Sequence, residues 1–159
     1  MPDSVGAALA PFLPRMQVVQ AGLFLILLFL ASVWDLRFRE IPDSLQAAVA
    51  SLALLCFCPG NLLGVLGAVP YLLVALVFHG MDGMGGGDIK LAAATGVVLG
   101  LSASLLSSMI GLSAFILYST VYTAAARLHG KKGRIAFPVG PFLALGAAAA
   151  YFIKHGGIL

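Results

Sequence analysis

Long apolar runs, separated by short polar or Gly/Pro-containing segments, make up nearly the whole chain. The first run covers residues 16–34, close to the ~20 residues that a helix needs to cross a bilayer. Turn signals follow at Pro59-Gly60-Asn61 and at Gly100-Leu101-Ser102. The pattern predicts six transmembrane helices, at about residues 16–34, 45–58, 62–79, 91–100, 101–127 and 137–154.

The composition supports a membrane protein. The 159 residues are 61% hydrophobic and only 9% charged, whereas soluble domains carry about 25% charged residues. Mean hydropathy is +1.06. We therefore expect an all-α, multi-pass protein in the lipid bilayer, with residues 1–159 forming one domain. The net charge of +3 is small, and without interleaved aromatic and basic residues it does not indicate nucleic-acid binding.

The basic residues predict the topology. Seven of the nine Lys and Arg residues lie in the loops at 35–44, 80–90 and 127–134, and the others are Arg15 and Lys154. By the positive-inside rule, the three charged loops face the cytoplasm, so both termini lie outside. We expect residence in the inner (cytoplasmic) membrane.

The same topology brings two acids together. Asp35 lies at the cytoplasmic end of helix one, and Asp88 at the cytoplasmic start of helix four, after Gly85, Gly86 and Gly87. Carboxylates at or within a membrane are costly, so they indicate function. Two close carboxyl groups share a proton, and one can act as general base on water while the other acts as general acid. This is aspartic-protease chemistry, which predicts neither a metal nor a cofactor. The glycines would leave room beside Asp88 for a substrate backbone, through positive φ or close approach.

Other interpretations are open at this point. Asp35 could pair with Arg39, four residues on along a continued helix, and the glycine run could be only a turn. Asp35 and Asp88 could instead carry protons in a small transporter or channel. Asp43 is expected to cap helix two, and Lys90 to extend to the lipid headgroups. Cys56 and Cys58 are expected to be small apolar residues at a helix end, since a lone C-x-C pair is not a zinc site.

Three motifs resemble one known family. Gly83-Met84-Gly85-Gly86-Gly87-Asp88-Ile89-Lys90-Leu91 resembles the G-x-G-D motif of type IV prepilin peptidases, which are membrane aspartyl proteases. Asp35, six residues before Ile41-Pro42-Asp43, resembles the family's first catalytic aspartate. Residues 137–146, beginning Phe-Pro-Val-Gly-Pro-Phe, resemble its C-terminal Pro-x-Gly-Pro-Phe helix.

The resemblance implies a six-helix aspartyl protease bundle with Asp35 and Asp88 as catalytic residues. It implies cleavage of the short basic leader of prepilin-like precursors at the cytoplasmic face, and pilus assembly proteins as partners. The oligomeric state is left open. Full-length bacterial members carry an N-terminal C-x-x-C segment linked to N-methylation, and this sequence has no C-x-x-C. The chain therefore resembles the short, peptidase-only branch that serves Flp/Tad-type pili or archaeal preflagellins.

Overall fold

The computed structural model describes residues 13–77, 85–128 and 137–156, and within these ranges it contains helices and no strand. The predicted all-α class is therefore confirmed. Some residues of the segments named above lie outside the described ranges, among them His79, Gly83, Met84, Lys131, Lys132 and Arg134. The α-helices are α1 (Leu13–Phe38), α2 (Asp43–Ser51), α3 (Val69–Val77), α4 (Gly86–Leu99), α5 (Leu101–Leu128) and α6 (Gly140–Lys154), with 3-10 helices at Leu52–Leu54 and Pro59–Ala68.

Helix α1 is longer than the predicted span at both ends. Its 26 residues include Asp35, which therefore lies in the last turn of the helix and not in the loop after it. The helix ends because Arg39 has a φ of 55°, outside the right-handed helical region. Pro42 then disfavours helix at the preceding residue. The Asp35 side chain is thus carried by regular helix.

The second predicted span takes a different form. Helix α2 has nine residues and covers about 14 Å at 1.5 Å per residue, whereas a bilayer core is about 30 Å thick. Within the described ranges, three helical segments are long and apolar enough to cross a membrane, namely Arg15–Phe38, Pro59–Val77 and Leu101–Leu128. Gly140–Lys154 is a shorter apolar helix. The count of six spans and the outside position of both termini stay predictions.

The third predicted span is a composite helix. A 3-10 helix over Pro59–Ala68 continues directly into α3 at Val69. Pro70 is the second residue of α3, a position where its missing N–H is tolerated. The change in helical form therefore comes just before Pro70, at Ala68.

Helix α4 lies at the centre of the bundle. It packs against α2, α5, α6 and the 3-10 helix Pro59–Ala68. Its many small residues allow this: a Cβ added to Gly96 would collide with the carbonyl oxygen of Gly64 in the 3-10 helix. The helix ends at Leu99 because Gly100 takes a φ of 78°, which favours glycine. The predicted break at Gly100 is confirmed.

Candidate active site

Asp35 is buried where α1 meets the start of α6. Only 5% of the residue is exposed. Its Oδ2 accepts a 2.8 Å hydrogen bond from the backbone N–H of Gly140, the first residue of α6. The first N–H groups of a helix have no partner within that helix and carry the positive end of its dipole. The N-terminus of α6 therefore stabilises charge on Asp35.

The Gly140 position is occupied by the only residue type that fits. A Cβ added to Gly140 would lie 2.7 Å from Asp35 Oδ2 and 2.8 Å from Asp35 Cβ. Both atoms belong to a side chain fixed at a buried helix junction, so neither can easily move away. The following Pro141 suits the first turn of a helix, where no N–H is required. The Pro-Val-Gly-Pro segment thus brings a bare backbone amide against a carboxylate.

Asp88 is in the first turn of α4, and 7% of it is exposed. Its Oδ2 accepts a 3.2 Å hydrogen bond from the N–H of Gly85, and its own N–H donates to the Gly85 carbonyl at 3.1 Å. One carboxylate oxygen therefore caps the helix to which Asp88 belongs. The other oxygen, Oδ1, is buried and has no hydrogen-bond partner among the described residues. Because an unpartnered buried polar atom is costly, Oδ1 marks a place where a ligand or water would be bound.

The two acids line one cavity. Its volume is about 410 Å³, and it opens to the surface between the loop that follows α1 and the start of α4. Neither acid forms an ion pair in the described part of the chain, where the one such pair joins Lys90 to Asp43. The remaining lining residues are Arg39, Glu40, Ile41, Asp43, Gly85, Gly86, Gly87 and Lys90.

The pairing of Asp35 with Arg39 that the sequence left open is not formed. The Arg39 N–H donates to the Asp35 carbonyl at 2.8 Å, but the two side chains make no ion pair. The reason is the left-handed backbone at Arg39, which ends the helix before the side chain can return to the i−4 position. Both buried carboxylates are thus held by backbone amides and not by cations.

The three glycines line the cavity, but not through the backbone conformation that was expected. Gly85 is extended, with φ −70° and ψ 151°, and Gly86 and Gly87 already belong to α4. Positive φ is found in the described glycines only at Gly100 and Gly156. Space is the relevant property at Gly86, where an added Cβ would meet no atom within 4 Å. Their role in binding substrate stays a prediction.

One expectation about the charged residues at the cavity mouth is wrong. Asp43 does not cap α2, because the N-cap position is Pro42 and no side chain caps the helix. The Nζ of Lys90 lies 2.8 Å from Asp43 Oδ1, and its extension to the lipid headgroups stays a prediction. Both side chains are mostly exposed, at 61% and 77%, so this pair contributes little stability. It joins the starts of α2 and α4 across the cavity.

Sequence reasoning missed two residues that contact the site. The sequence identified Gly140 only as part of the Phe-Pro-Val-Gly-Pro-Phe segment. A glycine between two nearby prolines at a helix start indicates a close backbone approach. Gln46 is buried in α2, and no sequence signal distinguishes its amide from that of a surface glutamine. Cys56 and Cys58 are free thiols, and neither lines this cavity.

The geometry agrees with the result of a family comparison. The model of the type IV leader peptidase family matches residues 22–125, which include both Asp35 and Asp88. The chain belongs to this family.

Individual family relatives are similar over most of the chain. A protein of Bacillus subtilis (strain 168) named prepilin leader peptidase/N-methyltransferase is 33% identical over 145 residues, which cover 86% of this chain and 56% of the relative. Proteins of the same name from Burkholderia pseudomallei strains 1026b and K96243 are 32% identical over 163 residues, covering 92% of this chain and 47% of each relative. The chain therefore spans about half the length of the curated relatives it matches. No solved structure matches it.

Proposed function

We propose that this chain is a membrane aspartyl endopeptidase that removes the leader peptide of prepilin-like precursors. One observation carries the proposal: Asp35 and Asp88, on different helices, are both buried, have no cation paired with them among the described residues, and line the same open cavity. A purely structural acid in an apolar bundle would be expected to have an ion-pair partner. Family membership and the names of the relatives support the same reading.

The proposed reaction is hydrolysis of one peptide bond by water. One carboxylate takes a proton from the water, whose oxygen bonds to the peptide carbonyl carbon, while the other carboxyl gives its proton to the carbonyl oxygen. The C–N bond then breaks, and the leaving amine nitrogen takes the proton that the first carboxylate removed from water. One hydroxyl of the intermediate gives its proton back to the second carboxylate as the carbonyl forms again. The products are a carboxylic acid and an amine, with both aspartates returned to their starting state.

The hydrogen bonds to the two carboxyl groups are compatible with one acting as general base and the other as general acid. Gly140 and Gly85 each occupy one oxygen, the Oδ2, of Asp35 and Asp88 respectively. Each interaction fixes its carboxyl group and leaves the second oxygen for water or substrate. Such fixed geometry is what converts a nearby acid into a catalyst.

The substrate and the membrane face are further parts of the proposal. The cavity contains Arg39 and Lys90, two of the seven basic residues that the positive-inside rule assigns to the cytoplasm. We therefore propose cleavage at the cytoplasmic side of the inner membrane, with pilus assembly proteins as partners of the product. That residues 1–159 form a single peptidase domain without a methyltransferase segment stays a prediction.

The test is co-expression of the full chain with a precursor that has a short basic leader followed by an apolar helix. Wild type should shorten the precursor on a gel, and Asp35→Asn and Asp88→Asn should each leave it whole. Thr95→Val is the control, because this buried hydroxyl of α4 donates only to the Ala92 carbonyl of its own helix. Cleavage by either Asn variant at near wild-type rate would refute the dyad. A proton-coupled transporter, the alternative, would instead give no cleavage by wild type and proton flux that both Asn variants abolish.

A further inference from the structure

Gln46 is a buried glutamine whose hydrogen-bond acceptors, Ile41 and Gly87, line the cavity. It lies in α2, is 5% exposed, and belongs to neither helix that carries an aspartate. Its Nε2 donates two hydrogen bonds, one of 3.0 Å to the Ile41 carbonyl and one of 3.4 Å to the Gly87 carbonyl. An amide nitrogen carries two hydrogens, so each carbonyl receives its own.

The two acceptors belong to the two segments that carry the dyad. Ile41 lies in the short connection by which the chain leaves α1 and Asp35, and Gly87 is bonded directly to Asp88. The segments also touch: a Cβ added to Gly87 would lie 3.5 Å from the Ile41 backbone nitrogen. One side chain therefore ties together two pieces of backbone that are 46 positions apart in sequence.

We propose that Gln46 is a positioning residue that sets the separation of Asp35 and Asp88. The inference rests on the proposed function, since separation matters only if the two carboxyl groups act together. Hydrogen bonds from a buried side chain to backbone carbonyls hold geometry better than the exposed Lys90–Asp43 pair at the same junction. Displacement of a reacting group by about 1 Å is enough to cost about 100-fold in rate.

Gln20 provides a matched control. It is also a buried glutamine, at 4% exposure, and its Nε2 donates to the Leu52 carbonyl at 2.8 Å. Its acceptor Leu52 does not line the cavity of the dyad, whereas both acceptors of Gln46 do. Gln20→Met and Gln46→Met thus remove the same kind of buried hydrogen bond, and both keep a side chain of similar length.

The first arm of the experiment measures cleavage of the prepilin-type precursor by the full chain in detergent. Gln46→Met lacks both donors, and it should lower kcat about 10- to 100-fold with little change in KM. The pH range of activity should also narrow, because carboxyl groups held farther apart interact less and share a proton over a smaller interval. Gln20→Met should keep the wild-type kcat and pH range.

The second arm does not need activity. Hydrogen–deuterium exchange should accelerate in peptides covering residues 85–91 of Gln46→Met and remain at the wild-type rate there in Gln20→Met. If wild type cleaves while Gln46→Met keeps the wild-type kcat and pH range, Gln46 does not position the dyad, and the proposed function stands. Unchanged exchange at 85–91 would also overturn the inference. If wild type cleaves no precursor, the proposed function fails, and the exchange arm still decides whether Gln46 holds the segment.

Discussion

The backbone N–H of Gly140 donates a 2.8 Å hydrogen bond to Oδ2 of Asp35, a residue 105 positions earlier in the chain. The bond joins the last turn of α1 to the first turn of α6, so α6 is part of the environment of Asp35. Without this amide, Asp35 would be a buried carboxylate with no donor from the described backbone. The C-terminal helix is therefore expected to be required for catalysis and not only for packing.

Gly140→Ala tests this relationship. Its Cβ would lie 2.7 Å from Asp35 Oδ2, so either the carboxyl group or the start of α6 must move. We expect cleavage of a prepilin-type precursor to fall by about 100-fold or more. Gly22→Ala in α1 is the control, because an added Cβ there meets no atom within 4 Å, and it should cleave like wild type. Wild-type cleavage by Gly140→Ala would mean that the amide is dispensable.

Gly86→Ala separates a substrate role of the glycine run from a structural one. The added methyl group has open space, and alanine favours helix over glycine by about 1 kcal/mol, so the fold should be unharmed. If a substrate backbone lies beside Gly86, the methyl group should raise KM about tenfold while thermal stability is kept or slightly increased. Steady-state kinetics and a thermal melt in detergent measure the two quantities. An unchanged KM would remove Gly86 from the substrate-binding residues.

The rate of cleavage should depend on pH in a bell-shaped manner. At low pH both carboxyl groups carry protons and no general base is left, whereas at high pH neither does and the general acid is lost. The two limbs belong to the Asp35–Asp88 pair and not to either residue alone. A profile of kcat/KM from about pH 4 to about pH 9 would show this. A rate that rises to a plateau with pH would indicate one titrating group and argue against a shared proton.

Gly64→Ala tests the packing that places α4 at the centre. A Cβ on Gly64 would collide with the Gly96 carbonyl, so the 3-10 helix Pro59–Ala68 and α4 would have to separate. We expect a loss of about 3 kcal/mol in the free energy of unfolding, the upper end for overpacking. Gly60→Ala in the same 3-10 helix is the comparison, because its nearest neighbour, Cys58 Sγ, is 4.0 Å away. Equal unfolding midpoints for the two variants would show that the close approach of Gly64 and Gly96 is not needed for stability.

Much of the fold was predictable because the dominant forces are local. Long apolar segments must form helices in a membrane, where every backbone polar group needs an internal partner. The pattern therefore predicted α1, α5 and α6, and Gly100 predicted the end of α4. The second span was harder to predict, since an apolar run does not reveal that α2 ends at Ser51 and gives way to a 3-10 turn.

The candidate site likewise has a part that the sequence predicted and a part that it did not. The sequence by itself predicted Asp35 and Asp88 as the candidate acids, because charge is rare in this chain and both adjoin long apolar segments. Tertiary structure alone decided what holds them. Gly140 reaches Asp35 across 105 positions, and Gln46 reaches Gly87 across 41. These partners depend on how helices cross, and crossing is fixed by close contacts such as that of Gly64 with Gly96, which no periodicity in the sequence encodes.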